Sequence, residues 1–370
     1  MENYSVLHQL GLALVTGVGT TLARNLIHNT GSVSAIFEEK PGNLIKIPGI
    51  GKKIAENLRQ AGILNRAEQE IQFMKRNQIK MVFFQEAEYP DQLRHCPDAP
   101  IVLFYKGILP QTMQKSLSII GTRNPSQRGR QLTSKWVKEL AESLPQLYVI
   151  SGLAYGIDIT AHEAALANKL PTLAVLGHGF HTIYPSLHSS TAERIENHGA
   201  LVTDFFSYNK LEPKNFIRRN RIIAGLTQAT LVVESSLKGG AMATAEMANS
   251  YNREVLVVPG RPSDLKSLGC NYLIRTNQAA LVNTSSDISF LLGWDDPHTK
   301  KKQAPKSTVD LSSLSDFQRK ILDLVRKDEM NINELGMLMQ AHPARLTGDL
   351  LSLEFSGLIQ AAPGGRFSAL

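Results

Sequence analysis

Between residues 115 and 293 the chain repeats one unit: a short apolar run, a loop of small or polar residues, then an amphipathic segment. The runs are "LSIIG", "LYVIS", "TLAVLG", "ALVTDF", "ATLVVE", "EVLVVPG" and "AALVN". They are rich in Val, Ile and Leu and mostly do not alternate with polar residues. Strands buried on both faces of a parallel sheet read this way. Segments such as "GRQLTSKWVKELAESL" and "ATAEMANSYN" supply helices between them. The expected fold class is therefore α/β, with a doubly wound Rossmann-like parallel sheet at its core.

The whole chain, 370 residues, is longer than one such core needs. Residues 1–75 read as a helical domain of the helix-hairpin-helix kind. Two similar pieces, "LVTGVGTTLARNLI" and "IKIPGIGKKIAENL", each run from an apolar-Gly-apolar-Gly turn into a helix. Gly17, Gly19, Gly49 and Gly51 carry that pattern, and amides at such turns can meet a phosphate; the same glycines would also serve tight turns alone. Residues 76–294 form the sheet domain, with 76–114 as a lead-in packed against it. Residues 295–310 are polar, contain two prolines and read as a linker. Residues 311–370 give helix, turn, helix and a hairpin-like end, a winged-helix outline.

Hydrophobic residues make up 42% and charged residues 20%, an ordinary globular balance. A net charge of +7 suits an anionic partner. Cys96 and Cys270 are far apart and lack metal spacing, which fits a reducing cytoplasm. The N-terminus has no basic start, and its apolar run is short and broken by glycine. Neither a signal peptide nor a membrane span is expected.

Ligands of open α/β sheets bind beyond the carboxyl ends of the strands. The loops there are "GTRNPSQRGR", "SGLAYGIDITAHEAAL", "GHGFHTIYP" and "SSLKGGAMATAEMA". Arg123 stands just past one strand, where its guanidinium can reach an anion. Lys238, Gly239 and Gly240 precede a helix and read as an anion nest. Walker A, dinucleotide, zincin and nucleophile-elbow signatures do not occur, so neither cofactor nor metal is expected. His178 and His181 are three apart in a loop with no evident third ligand. His162 reads as a packed or capping residue, and Asp158 as a helix cap.

The stretch "NKLEPKNFIRRNRIIAGL" sets Lys210, Lys214, Arg218, Arg219 and Arg221 against one acid, Glu212. Basic charge at a helix start opposes the macrodipole unless anions are near. Phe216, inside the run, offers a flat face to a base. Ile222, Ile223 and Leu226 are expected to face the sheet. Arg123, Arg218, Arg219, Arg221 and Lys238 are expected to share one phosphate-binding surface.

Taken in order, "SIIGTR", "VISGLAYGIDITAHEAAL", "TLAVLGHGFHTIYP", "GALVTDF", "FIRRNRIIAGL", "LVVESSLKGGAMATAEMA", "EVLVVPG" and "LGCNYLI" resemble the bacterial DNA-processing protein A family, covering about residues 80–293. The resemblance implies a cytoplasmic, non-catalytic mediator of natural transformation. Such proteins dimerise, bind and protect incoming single-stranded DNA, and load the RecA recombinase. Carried over by motif, the DNA pocket would use Gly121, Thr122, Arg123, Ser151, Gly152, Lys214, Phe216, Arg218, Arg219, Asn220, Arg221, Lys238, Gly239 and Gly240. This chain departs from the pattern at Ile217, where proline is common, and in "GGA" and "GHGFH".

Two other classes compete. A nucleotide-processing enzyme is suggested by "LKGGAMATAEMA" and the Glu246 within it. A duplex-binding regulator would act through the last module. That module holds six basic residues against seven acidic, a net of −1, and its recognition-helix segment offers one arginine, Arg345. A DNA-reading wing is normally strongly basic, so contact with protein, or with the other domains, is expected there instead.

Overall fold

The computed structural model describes residues 2–60, 62–294, 314–356, 358–362 and 366–369. The chain divides into two compact units, Met1–Asp295 and Asp296–Leu370. The expected linker lies outside the described residues.

The first unit opens with six helices: α1 (Glu2–Leu14), α2 (Thr20–Thr30), α3 (Val33–Glu38), α4 (Pro41–Leu44), α5 (Lys52–Leu58) and α6 (Gly62–Arg76). The two glycine turns sit where the pattern placed them. Gly17 and Gly49 take φ of +90° and +85°, a region open to glycine without penalty. Gly19 and Gly51 are the N-caps of α2 and α5, and neither helix has a side-chain cap.

The sheet follows, with β1 (Lys80–Phe83), α7 (Asp91–Arg94), β2 (Val102–Gly107), β3 (Ser116–Ile120), α8 (Gln127–Ser143), β4 (Tyr148–Ser151), α9 (Ile157–Ala167), β5 (Thr172–Val175), α10 (Ser189–His198), β6 (Gly199–Thr203), α11 (Pro213–Gly225), β7 (Ala229–Val232), α12 (Gly240–Ser250), β8 (Glu254–Val257), α13 (Leu268–Arg275), β9 (Ala280–Leu281) and α14 (Ser285–Leu291). Its order is β1-β2-β6-β5-β4-β3-β7-β8-β9. The seven expected strands, β3 to β9, pair in parallel throughout. The lead-in does more than pack: β1 and β2 extend the sheet as antiparallel strands beside β6.

The non-alternating runs are explained by cover on both faces. Leu117, Ile119, Val149, Leu231 and Leu256 point into one layer, which holds residues of α8, α9 and α14. Ile120, Ile150, Val232 and Val257 point into the other, with Ile222 and Ile223 of α11, Ala245 of α12 and Leu273 of α13. That second core runs on without a break into Leu10, Leu26, Ile36 and Ala67 of the N-terminal helices. Polar ties reinforce it: Ser207 donates its backbone N–H and its hydroxyl to Glu70 of α6, at 2.9 and 2.6 Å. The Arg66 guanidinium lies 3.6 Å from the centre of the Tyr208 ring.

The second unit contains α15 (Asp316–Lys327), β10 (Met330–Asn331), α16 (Ile332–Met339), α17 (Pro343–Phe355), β11 (Ile359–Ala362) and β12 (Arg366–Ala369). Three helices and a three-stranded antiparallel sheet, ordered β10-β12-β11, give the winged-helix form. Its own core is built on Ile321, Leu335, Leu346, Leu350 and Leu353.

Candidate nucleic-acid interface

The chain winds from β3 outward through β4, β5 and β6, then crosses back to place β7 on the other side of β3. The reversal opens a crevice beyond the carboxyl ends of β3 and β7, where such sheets bind ligands. A cleft of about 420 Å³ lies there. Gly121, Thr122 and Arg123 after β3 form one wall, and Ser235, Ser236, Gly239 and Gly240 after β7 another. Phe216, Arg219 and Asn220 of α11 close it.

Hydrogen bonds fix these walls. Thr122 donates its N–H to the Glu234 carbonyl at 2.7 Å, joining the loops after β3 and β7. Ser126 donates its N–H to one Glu234 carboxylate oxygen at 2.8 Å and its hydroxyl to the other. The Ser126 Oγ in turn accepts from Gly129 N–H and caps α8. Asn220 Nδ2 donates to the Gly240 carbonyl at 3.3 Å and ties α11 to the start of α12. That start has Gly239 as N-cap and no side-chain cap, and a methyl group on Gly240 would meet nothing within 4 Å. Its first amides are therefore open to an anion entering the cleft.

Arg219 is buried, with 3% of its surface exposed. It donates to the carbonyls of Gly152, at 2.7 Å, and Val175, and through Nε to Asn220 Oδ1 at 3.2 Å. Gly152 makes room for it: a methyl group there would fall 2.5 Å from both terminal guanidinium nitrogens. Burial pulls the Arg219 pKa down to about 10, Asp158 opposes the shift, and the charge of Arg123 adds to it. Burial also raises the Asp158 carboxyl, with Arg219 working against the rise. Desolvation thus outweighs attraction for both partners, and two cations lie close together at the cleft. An entering anion relieves that repulsion. Asp158 is not the cap of α9; Gly156 is. The carboxylate reaches back to accept from Gly152 N–H at 3.1 Å and fixes the loop after β4.

Phe216 is half-buried rather than free. Its ring packs so closely on Gly177 that a methyl group there would lie 2.8 Å from Cδ1. Tyr184 is tilted against it at 5.6 Å between centroids, and the Arg123 guanidinium lies 5.5 Å from its centre. Arg123 itself is exposed and has no hydrogen-bonding or ion-pairing partner among the described residues.

The single basic surface expected from the sequence is divided. Residues of a helix advance by about 100° each, so 216, 219, 220 and 223 share one face while 218 and 221 take the opposite one. Arg218 and Arg221 both pair with the buried Asp204, on the far side of α11 from the cleft. Lys214 is exposed and paired with Glu212 at 2.7 Å. Lys238 is exposed beside the nest, outside the cleft lining. Ser151 is fully buried and donates to the Ile119 carbonyl at 2.7 Å, so it also lies outside the lining. Ile222, Ile223 and Leu226 are buried as expected.

Sequence reasoning passed over Ser235, Ser236, Thr244 and Asp204. The signal for the serines was their place just past β7, and for Asp204 its place just past β6. His178 is a structural residue. Its Nδ1 lies 3.0 Å from the Gly179 carbonyl, its Nε2 accepts from Tyr184 N–H at 3.1 Å, and burial lowers its pKa. No cluster of three metal-ligating side chains occurs among the described residues. Glu246 is exposed on α12 and does not line the cleft. No described helix is long and apolar enough to cross a membrane.

Residues 80–292 match the family model for DNA recombination-mediator protein A. Residues 10–61 match a SAM-like helix-hairpin-helix tandem, and residues 304–365 a DprA winged helix domain. The chain is 29% identical to Protein Smf of Synechocystis sp. over 403 aligned positions, covering 99% of each. It resembles the X-ray structure of DNA processing protein A from Streptococcus pneumoniae, with a TM-score of 0.65 at 29% identity, over 76% of this chain and 95% of that one. It also resembles DNA processing protein A from Helicobacter pylori, with a TM-score of 0.52 at 25% identity, over 59% of this chain and 97% of that one. A unique single-stranded DNA binding mode is described for the latter.

Proposed function

This chain belongs to the DNA recombination-mediator protein A family, the DprA or Smf proteins, and on that premise we propose that it binds incoming single-stranded DNA in the switch-point cleft, shields it and loads the RecA recombinase onto it. The observation that carries the reading is the composition of the cleft. An arginine without an ion-pair partner, the uncapped amides of α12 and a half-buried aromatic ring converge on about 420 Å³. Phosphate is held by Arg123 and the Gly240 and Ala241 amides, and a base stacks on the open part of the Phe216 ring. Arg219 acts from behind, fixing α11 against the ends of β4 and β5 and adding positive potential. Ser235 and Ser236 offer further polar contacts.

None of these parts distinguishes one base sequence from another, which suits a protein that accepts any incoming strand. The reading is of a non-catalytic, cytoplasmic homodimer acting in natural transformation. The enzyme alternative loses its main support with Glu246 outside the cleft.

The test compares single- and double-stranded oligonucleotides of equal length, with wild type and Arg123→Ala, at several salt concentrations. The single strand binds more tightly, and Arg123→Ala flattens the salt dependence by roughly 0.7 per lost phosphate contact. Equal affinity for both forms, or an unchanged slope in a folded Arg123→Ala protein, overturns the proposal.

A further inference from the structure

Beyond the cleft, two aromatic rings stand open at the same end of the sheet. Tyr155, in the loop after β4, is 42% exposed, and Tyr184, in the loop after β5, is 40% exposed. Their faces are not engaged as those of other surface tyrosines are. Tyr208 and Tyr272 lie near the guanidinium groups of Arg66 and Arg275, at 3.6 and 5.6 Å. No cation covers Tyr155 or Tyr184, and neither hydroxyl has a hydrogen-bond partner, among the described residues. Both rings are nonetheless held by buried histidines. His188 donates from Nδ1 to the Leu153 carbonyl at 2.8 Å, and the Tyr155 ring meets its imidazole edge to face, 5.0 Å between centroids. Tyr184 is held through its N–H by His178, whose carbonyl accepts from the Thr203 hydroxyl at 2.9 Å. A ring fixed before binding loses little freedom when a flat partner settles on it.

Both rings adjoin the cleft. Tyr184 lies against Phe216. Tyr155 precedes Gly156, where a methyl group would fall 2.3 Å from the Thr122 carbonyl oxygen and 2.7 Å from that of Arg123, so the loops after β3 and β4 touch. Arg123, Tyr155 and Tyr184 thus follow β3, β4 and β5, which are neighbours in the sheet. Strands lie about 4.8 Å apart, so the step from β3 to β5 is about 10 Å, within reach of a few consecutive bases. The charge along this rim suits a polyanion. Residues 121–130, 152–157 and 177–188 contain no Asp or Glu, whereas Arg123, Arg128 and Arg130 are exposed. We propose that Tyr184 and Tyr155 each stack one base and lead the DNA strand out of the cleft over β4 and β5, not over β8 on the other side. The inference rests on the function proposed above. Stacking accepts any base, so the added contacts lengthen the interface without imposing a sequence.

The experiment uses full-length protein, oligo-dT of about 16 nucleotides and an abasic strand of the same length. Tyr155→Leu and Tyr184→Leu keep an apolar side chain and remove the π-face. Each weakens oligo-dT binding roughly 5- to 150-fold, with the affinity for the abasic strand and the salt slope unchanged. Tyr155→Phe and Tyr184→Phe restore oligo-dT binding, because the hydroxyls take no part. A second readout is optical. The chain's two tryptophans, Trp136 and Trp294, are buried, so an indole placed by Tyr155→Trp or Tyr184→Trp reports from the surface. Oligo-dT quenches its emission and the abasic strand does not. Should Tyr184→Leu misfold through its contact with Phe216, Tyr155→Leu, packed on His188 instead, decides. Oligo-dT binding equal to wild type in either folded leucine variant overturns the path, as does equal weakening of both strands or an unquenched indole. Wild type that binds no single strand refutes the cleft reading itself. Tyrosine variants that bind normally while Arg123→Ala and Phe216→Ala do not refute the path alone.

Discussion

Replacing Gly152 with alanine tests whether the cleft depends on a buried guanidinium. The backbone at Gly152 is not in the left-handed region, so alanine suffers no conformational penalty there. The cost comes from collision. The new methyl group falls 2.5 Å from two nitrogens and 2.6 Å from the central carbon of Arg219. Arg219 cannot yield freely, because it is held by the Gly152 and Val175 carbonyls and by Asn220. Overpacking of this kind costs about 1–3 kcal/mol. A guanidinium that swings out loses at least one charge-assisted hydrogen bond, adding roughly 1.5–3 kcal/mol. We expect a net loss of about 2.5–6 kcal/mol in denaturant melts when both costs apply. The cause is isolated by repeating the change in an Arg219→Ala background. With no guanidinium to strike, Gly152→Ala there costs less than about 1 kcal/mol, giving a coupling of at least about 1.5 kcal/mol. Single-strand titrations on the same preparations report whether α11 has moved. Additive costs, with no coupling, would refute the reasoning, and so would a Gly152→Ala protein as stable as wild type.

Three further outcomes follow from the same geometry. Phe216→Ala lowers single-strand affinity roughly 5- to 150-fold, the equivalent of about 1–3 kcal/mol of stacking, with the salt slope unchanged; a mutant that melts and binds like wild type excludes the stacking role. A chain ending at Asp295 retains most single-strand affinity, because the one arginine of the recognition helix, Arg345, lies 4.3 Å from the Phe317 ring of its own module; loss of binding by a folded, truncated chain overturns this. His162 is fully buried with its Nδ1 2.7 Å from Thr172 Oγ1, and burial drops its pKa from 6.5 to about 3. The unfolded chain takes up that proton below about pH 6.5 and the folded one does not, so stability present above pH 6.5 is lost toward pH 3, at up to about 1.4 kcal/mol per pH unit. His162→Gln should flatten that part of the stability profile, and an unchanged profile counts against the assignment.

Much of the fold was legible because burial on both faces leaves a trace in composition. "ATLVVE" has no alternation since Leu231 and Val232 enter different cores. The strands β1 and β2 were not legible. "KMVF" and "VLFYKG" are apolar enough, but β2 takes its place from β6, about a hundred residues away, and β1 then pairs only with β2. The cleft was legible through the rule for carboxyl ends, which drew attention to Gly121–Arg123 and Lys238–Gly240. The division of α11 was implicit in its 100° step, whereas the burial of Arg219 was not. Two carbonyls that fold onto it from β4 and β5 decide that burial, and no local pattern announces them.

The continuous core beneath the N-terminal helices has a consequence for how the molecule opens. Leu10, Leu26 and Ala67 share one apolar cluster with Ile120, Val202 and Val257 of the central sheet. Segments that share a cluster in this way exchange their amides with solvent in a single cooperative event, not by independent fraying. The amides of α2 and α6 should therefore become labile at the same denaturant concentration as those of β3. The helix-hairpin-helix would then be a foundation that unfolds with the sheet, and the segment from Ser207 to Phe216 would be held at both its ends until the whole unit gives way.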